Sequence, residues 1–269
     1  MKKYLSVIML AARGSFFKVI GVMIMMAAAQ IGVFYTKYQA LITERQNQLN
    51  EQLLHPENGI WDIAFPAMER VLDKGIANGY ITVAGIWIMA FVLIGILLNQ
   101  AGAPWKSGSE NIRMTLQRMP MKEWKITFCY AVYNFGIWLI FWAFSIGVVL
   151  AICEVYYKFA ILDAYGSQST FLAFYRNELF HSLLPLEDVT RYVRNIGMFV
   201  ALSVMSATTG FWNRRGKRNL VSFICIGLMA GAFPGRMGNQ GADLWWVVVS
   251  VAVIIMECYR MFSHMIDEE

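Results

Sequence analysis

Charge is scarce in this sequence. Of its 269 residues, 15 % are Asp, Glu, Lys or Arg, against 58 % apolar and 14 % aromatic. With a mean hydropathy of +0.48, the chain is too apolar for an ordinary soluble domain and reads as an integral membrane protein. Histidine is scarcer still. His55, His181 and His264 are singletons in different loops or at the chain end, so no pair at spanning depth can hold haem or a metal. The four cysteines, Cys129, Cys153, Cys225 and Cys258, lie in or at the ends of apolar segments and form no CxxC pair. That removes a disulfide framework and a zinc site.

Catalytic motifs are missing as well. The chain lacks the Glu-Glu-x-x-Arg, G-x-S-G and G-x-G-D signatures of intramembrane proteases; its one Glu-Glu pair is terminal, Glu268-Glu269. Gly102 to Ser107 (GAPWKS) fails as a phosphate-binding loop, because Trp105 stands where small residues must let backbone N–H groups wrap phosphates. The chain is therefore expected to be no enzyme and to bind no cofactor itself. The net charge of +5 does not imply nucleic acid, since the basic residues flank apolar runs, where lipid headgroups and topology explain them.

What is present is a series of apolar runs. The expected fold is an all-α polytopic membrane protein with six transmembrane helices, at about 19–36, 80–100, 126–157, 193–212, 220–235 and 244–265, in a single transmembrane domain. The 126–157 run exceeds the ~30 Å hydrocarbon core and must tilt or project. Outer segments are expected at 37–78 and 158–192. The first reads as an exposed helical hairpin (Thr43 to Leu54, then Ile60 to Leu72), with a lid over substrate as its alternative. In the second, Thr170 to Leu184 places Leu172, Tyr175, Leu179 and Leu183 on one face and Asn177, Glu178, His181 and Ser182 on another, as for a helix lying on the membrane surface.

Basic residues cluster before span one (Lys2, Lys3, Arg13, Lys18), between spans two and three (Lys106, Arg113, Arg118, Lys122, Lys125) and between spans four and five (Arg214, Arg215, Lys217, Arg218). By the positive-inside rule these short segments, including loops 101–125 and 213–219, face the cytoplasm together with both termini. The expected location is a cell membrane, multi-pass.

Ionisable residues inside a span cost about 2.5 to 3.5 kcal/mol at its centre, and none here is expected at a centre. Glu154 and Arg194, at similar outer depth, are placed to pair, as are Glu257 and Arg260 at i, i+3. Holding helix positions at the membrane edge is the first reading, and lining a transport path the second. Asn134 and Gln30 lie deeper and suit interhelical hydrogen bonds. Gly227, Gly231 and Gly235 form overlapping GxxxG repeats, a surface for helix packing within the chain or against another subunit.

The interruption Ala101 to Lys125, AGAPWKSGSENIRMTLQRMPMKEWK, carries the functional signal. Ser107 to Glu110 fits a capping box. Ile112, Leu116 and Met119 then share one face, while Arg113 and Arg118 lie off it. Pro120 ends this helix and opens the next. The pattern describes a short amphipathic helix joined by a rigid corner to a long membrane helix, which either docks a protein or lies on anionic lipid.

The run TLQRMPMKEWKITFCYAVYN resembles the segment after the second span in ABC-2 type transporter permeases, with specific likeness over Asn111 to Asn134 and general likeness in the six-span layout. The resemblance implies a membrane subunit whose coupling helix docks on a separate ATP-binding subunit, with ATP and Mg held by that partner. By position, Ile112, Arg113, Leu116, Arg118, Met119 and Pro120 would form the coupling element, and Tyr4 to Lys18 the interfacial elbow helix. A second permease copy or paralogue would complete the transporter, and export is the family-level expectation. The chain departs from many members in lacking room at 236–243 for re-entrant helices. The alternative is a non-transporting immunity or sensor-partner protein that binds a ligand through its outer helices.

Overall fold

The computed structural model describes residues 2–54, 83–101, 121–160, 178–186, 188–217, 219–234 and 240–266. The described residues fold as helices α1 (Lys2–Leu54), α2 (Val83–Ala101), α3 (Glu123–Ala160), α4 (Glu178–Leu183), α5 (Val189–Arg214), α6 (Val221–Ala232) and α7 (Gln240–Ile266). Among them no strand occurs.

Four helices are long and apolar enough to cross a membrane: Lys3–Tyr35 within α1, all of α2, Glu123–Val155 within α3, and α7. The chain is thus a membrane-embedded, multi-pass helical protein. Two of the six expected spans differ in kind. α6 has 12 residues, about 18 Å of helix, too short to cross a ~30 Å core. It ends where Phe233-Pro234 turns the chain.

The run expected as the fourth span, α5, is long enough but carries too many polar residues to pass as an apolar span. The reason lies in its position. α2, α3, α6 and α7 all pack on it, and no side chain from Gly197 to Arg215 is exposed. A helix screened from lipid by its neighbours has no need of an apolar surface. α5 is the central element of the bundle.

α1 is one continuous helix of 53 residues, about 80 Å long. The separate elbow at Tyr4 to Lys18 and the separate outer helix at Thr43 to Leu54 are both absorbed into it. Nothing between Lys2 and Leu54 breaks the helix: the stretch contains no proline, and Gly14, Gly21 and Gly32 are isolated.

Side-chain contacts fix the helix directions. Gly14 lies beside Ala101 and Gln30 Nε2 donates to the Val83 carbonyl at 3.0 Å, so α1 and α2 are antiparallel. Ser15 and Tyr133 hydroxyls meet at 3.0 Å, and Val7 and Ala11 cluster with Ile126 and Cys129 one to two turns earlier on α3, so α1 and α3 run together. The start of α1, the end of α2, the starts of α3 and α6 and the ends of α5 and α7 therefore gather at one end of the bundle. Lys3, Arg13, Lys122, Lys125, Arg215 and Lys217 sit there, and we call it the basic end.

The centre is an aromatic cluster. Trp87 and Phe91 of α2, Trp138 and Phe141 of α3, Phe199 of α5 and Phe233 after α6 are buried together. Phe91 and Trp138 are 4.5 Å apart, and Phe199 stacks on both Trp138 at 5.9 Å and Phe233 at 5.5 Å. Lipid tails are as apolar as these rings, so close packing and quadrupole geometry hold the cluster in a bilayer.

Candidate functional site

The residues expected to form the coupling element, Ile112, Arg113, Leu116, Arg118, Met119 and Pro120, lie outside the described residues. Their exit is described. Lys122 O accepts from Lys125 N at 3.0 Å, starting α3, and Glu123 in its first turn faces Arg214, the last residue of α5, at 3.8 Å. Glu123 thereby joins the loop before α3 to the basic turn after α5.

That turn is tightly built. Arg215 N and Lys217 N both donate to Trp212 O at 3.0 Å, and Gly216 N donates to Asn213 O at 3.0 Å. Gly216 has φ +76, a left-handed conformation that closes a helix and costs a glycine little. The turn folds onto α7. Arg215 contacts His264 Nδ1 at 3.1 Å and Lys217 contacts Nε2 at 3.0 Å. Trp212 receives the cations of Lys217 and Arg260 at 5.4 and 5.5 Å.

Glu257, fully buried, is the anionic anchor of this end. It accepts from Thr208 Oγ1 at 2.8 Å and Asn219 Nδ2 at 3.3 Å, and Arg260 reaches it at 3.4 Å from the half-exposed side. The i, i+3 pairing of Glu257 with Arg260 is therefore present, but its strongest hydrogen bond is the one from Thr208.

The opposite end holds a second buried ionic group. Asp243 lies 3.0 Å from Arg194 Nη1 and 3.0 Å from Arg191 Nε, with all three side chains at most 2 % exposed. Arg194 also donates to Asn195 Oδ1 at 2.9 Å and Ser182 Oγ at 2.9 Å, and Arg191 donates to Ser182 at 3.1 Å. Asn195 Nδ2 closes the ring on the Ser182 carbonyl at 2.7 Å. The carboxylate expected for Arg194 was Glu154. Glu154 instead sits on the exposed face of α3, and the buried carboxylate is Asp243 in the first turn of α7.

Ser182 also corrects the expectation for α4. The Leu179, Ser182 and Leu183 side chains are all buried, and Trp142 Nε1 donates to Leu183 O at 2.9 Å. α4, the described part of the helix expected over Thr170 to Leu184, thus packs into the bundle; 170–177 lie outside the described residues. Asp188 caps α5, accepting from Thr190 N at 3.0 Å and Arg191 N at 3.3 Å. The Thr190 hydroxyl bond, together with these amide bonds and the Arg191 charge, outweighs desolvation and holds the Asp188 carboxyl below its ordinary range.

The two ionic groups belong to one seam. Asp243, Ser250, Glu257 and His264 recur every seven residues on α7, and Arg194, Ala201, Thr208 and Arg215 recur every seven on α5. Three of these layers are bonded, Arg194 to Asp243, Thr208 to Glu257 and Arg215 to His264. The helices are parallel and in heptad register. About 21 Å of helix separates Asp243 from Glu257, which puts one charged layer near each end of α7 and Ser250 between them.

The other face of α5 packs antiparallel on α3. Glu123 meets Arg214, Tyr130 shares a cluster with Ala207, and Trp138 stacks on Phe199. Buried along this seam are polar atoms with no hydrogen-bond partner: Glu123 Oε2, Arg214 Nε and Nη2, the Tyr130 hydroxyl and both amide atoms of Asn134. Gln30 makes the interhelical bond expected of it; Asn134 does not.

Gly227 and Gly231 are exposed on α6, and a methyl group added to either would meet nothing within 4 Å; Gly235 lies outside the described residues. The close helix approach within the chain is at Gly95 of α2 instead, where an added Cβ would stand 2.9 Å from Ile226. Among the described residues no three His, Cys, Asp or Glu side chains gather as for a metal ion.

No protein-family model matches the chain, and no curated protein or solved structure matches it either.

Proposed function

We propose that the chain is the membrane subunit of an ATP-driven transporter of the ABC-2 type, working with a separate ATP-binding subunit and a second permease copy or paralogue. The carrying observation is the continuity from the resembling segment into α3. The run TLQRMP leads directly into a 38-residue helix whose first turn, through Glu123, meets Arg214 of the central helix. In this reading the basic end is cytoplasmic, as its Lys and Arg favour. The protein belongs to a cell membrane, and ATP and Mg stay on the partner.

The mechanics follow from the unequal seams. α5 and α7 are bonded across buried charged layers near both ends, so they move as one body. The α3–α5 seam leaves Tyr130 and Asn134 without partners, so it is the weaker contact and the place where helices slide or part. A protein docked on Ile112, Arg113, Leu116, Arg118, Met119 and Pro120 would push α3 against that body. The direction is export, by analogy with the resembling family.

The test is co-purification of an ATPase with tagged protein from its native membrane, comparing wild type with Leu116→Asp plus Arg118→Glu. Loss of the ATPase from a variant that still inserts supports the proposal. Recovery of no ATPase with either protein favours the stand-alone ligand-binding alternative.

A further inference from the structure

The seam between α3 and α5 buries three polar side chains: Arg214, which faces Glu123 in the proposed coupling contact, and the unpartnered Tyr130 and Asn134. Arg214 is 4 % exposed, Tyr130 2 % and Asn134 1 %. Each has buried polar atoms without a hydrogen-bond partner: two guanidinium nitrogens, of which Nη2 lies 3.8 Å from the Glu123 carboxylate, a phenol and a whole carboxamide. Buried polar groups are normally paired, and leaving one unpaired costs on the order of 1–3 kcal/mol. Three such residues on one seam point to a missing ligand.

Their directions converge. Side chains on a helix lean toward its N-terminus. α3 starts at the basic end, so Tyr130 and Asn134 lean toward that end. α5 finishes there, so Arg214 leans inward to meet them. Val7 and Ala11 of α1, both fully buried, close the lipid side together with Ile126 and Cys129.

The unpartnered atoms are donors in the main: Arg214 Nε–H and Nη2, the Tyr130 O–H and the Asn134 amide N–H. The described carboxylate facing Arg214 is Glu123, whose side chain is about one-third exposed but whose Oε2, 3.8 Å from Arg214 Nη2, is buried and accepts no hydrogen bond. A planar fork of guanidinium donors backed by a phenol suits a phosphate group, which presents several acceptor oxygens and a negative charge.

We propose that Arg214, Tyr130 and Asn134 form a binding site for a phosphate group at the basic end of the α3–α5 seam. Arg214 supplies the charge and two donors, Tyr130 a third, and Asn134 bounds the site on its deeper side. The phosphate comes either from an anionic lipid headgroup or from a soluble anion. The site rests on this chain alone and stands whether or not an ATPase docks.

The test uses the full chain, purified in detergent, and follows its thermal unfolding by tryptophan fluorescence. Phosphatidylglycerol is titrated against a phosphate-free glycosyl diacylglycerol, and inorganic phosphate against chloride at matched ionic strength. Binding to the folded state raises Tm with ligand concentration. A rise with phosphatidylglycerol alone assigns the site to lipid; a rise with inorganic phosphate assigns it to a soluble anion. In either case Arg214→Gln raises the apparent Kd by about tenfold or more, as loss of a charged hydrogen-bond donor implies, and Tyr130→Phe raises it several-fold. Lys122→Gln, which removes an exposed cation at the same end, leaves it unchanged. No response to either titrant overturns the proposal, as does an equal response in wild type and Arg214→Gln. If Arg214→Gln does not fold, Tyr130→Phe and Asn134→Leu decide. Higher stability without ligand and an undiminished ligand response in both would make these groups a packing defect and overturn the site.

Discussion

Thr208 and Glu257 face each other across α5 and α7, with the hydroxyl donating to the carboxylate at 2.8 Å and both side chains buried. The partner of Thr208 is 49 positions along the chain, the same offset that joins Arg194 to Asp243 and Arg215 to His264. One helical register therefore places every bonded layer of the seam, and each layer can be tested separately.

At the outer layer, Asp243→Ala leaves Arg191 and Arg194 without their shared carboxylate in a buried setting. Removing one member of a buried ion pair costs about 3–5 kcal/mol. The variant should unfold well below wild type in a thermal scan in detergent. Replacing the group by apolar residues (Asp243→Leu with Arg191→Met and Arg194→Met) should recover most of that loss. Failure of the single variant to destabilise would contradict the clamp.

At the inner layer, Glu257→Gln keeps an acceptor for Thr208 and should cost less than Glu257→Leu, which leaves Thr208 and Asn219 only their bonds to Met205 O and Thr209 Oγ1. Thr208→Val should cost about 1 kcal/mol, the net worth of an ordinary hydrogen bond. A double-mutant cycle between Thr208 and Glu257 measures the coupling directly.

Gly95→Ala should destabilise by about 1–3 kcal/mol, the usual cost of overpacking, because the new methyl group would stand 2.9 Å from Ile226. Ile226→Ala in the same chain should relieve it. Gly227→Leu should leave the stability of a single chain unchanged. If the exposed Gly227 and Gly231 face holds a second permease copy, that variant lowers the dimer fraction in size-exclusion chromatography with light scattering.

Asp188 predicts a component of acid sensitivity. Its carboxyl is held below the ordinary aspartate range by the Thr190 hydroxyl bond first and then by the amides of Thr190 and Arg191. A depressed folded-state pKa gives stability that is present above the unfolded pKa and is lost as pH falls through the folded one. Asp188→Ala should cost about 1 kcal/mol near neutral pH, as loss of a helix cap does. It should also flatten the stability profile below the ordinary aspartate pKa.

The sequence was informative wherever a helix faces lipid. α3 and α7 stand close to their expected runs because a lipid-facing helix must be apolar along its length; α2 does so as an apolar helix that is mostly buried. α5 was legible as a run but not as the centre of the bundle, since burial among neighbours permits the Arg191, Arg194, Thr208 and Thr209 that made it look less apolar. Asp243 was missed for a related reason: next to Gly238, Asn239 and Gly241 it reads as a loop residue. The sevenfold recurrence of Asp243, Ser250, Glu257 and His264 was visible in the sequence, and it was the available signal for the seam. Gly95 carried none, because a single glycine in an apolar run is common and the residue it meets lies on another helix.

The central claim, an ATPase docked beside Glu123 and Arg214, is tested most directly by site-specific crosslinking in intact membranes. A photoreactive amino acid at position 116 should form an adduct with a polypeptide that binds ATP, and Leu116→Asp plus Arg118→Glu should abolish co-purification of the same polypeptide. Crosslinks from position 116 to lipid alone, with no ATP-binding protein recovered, would contradict the account.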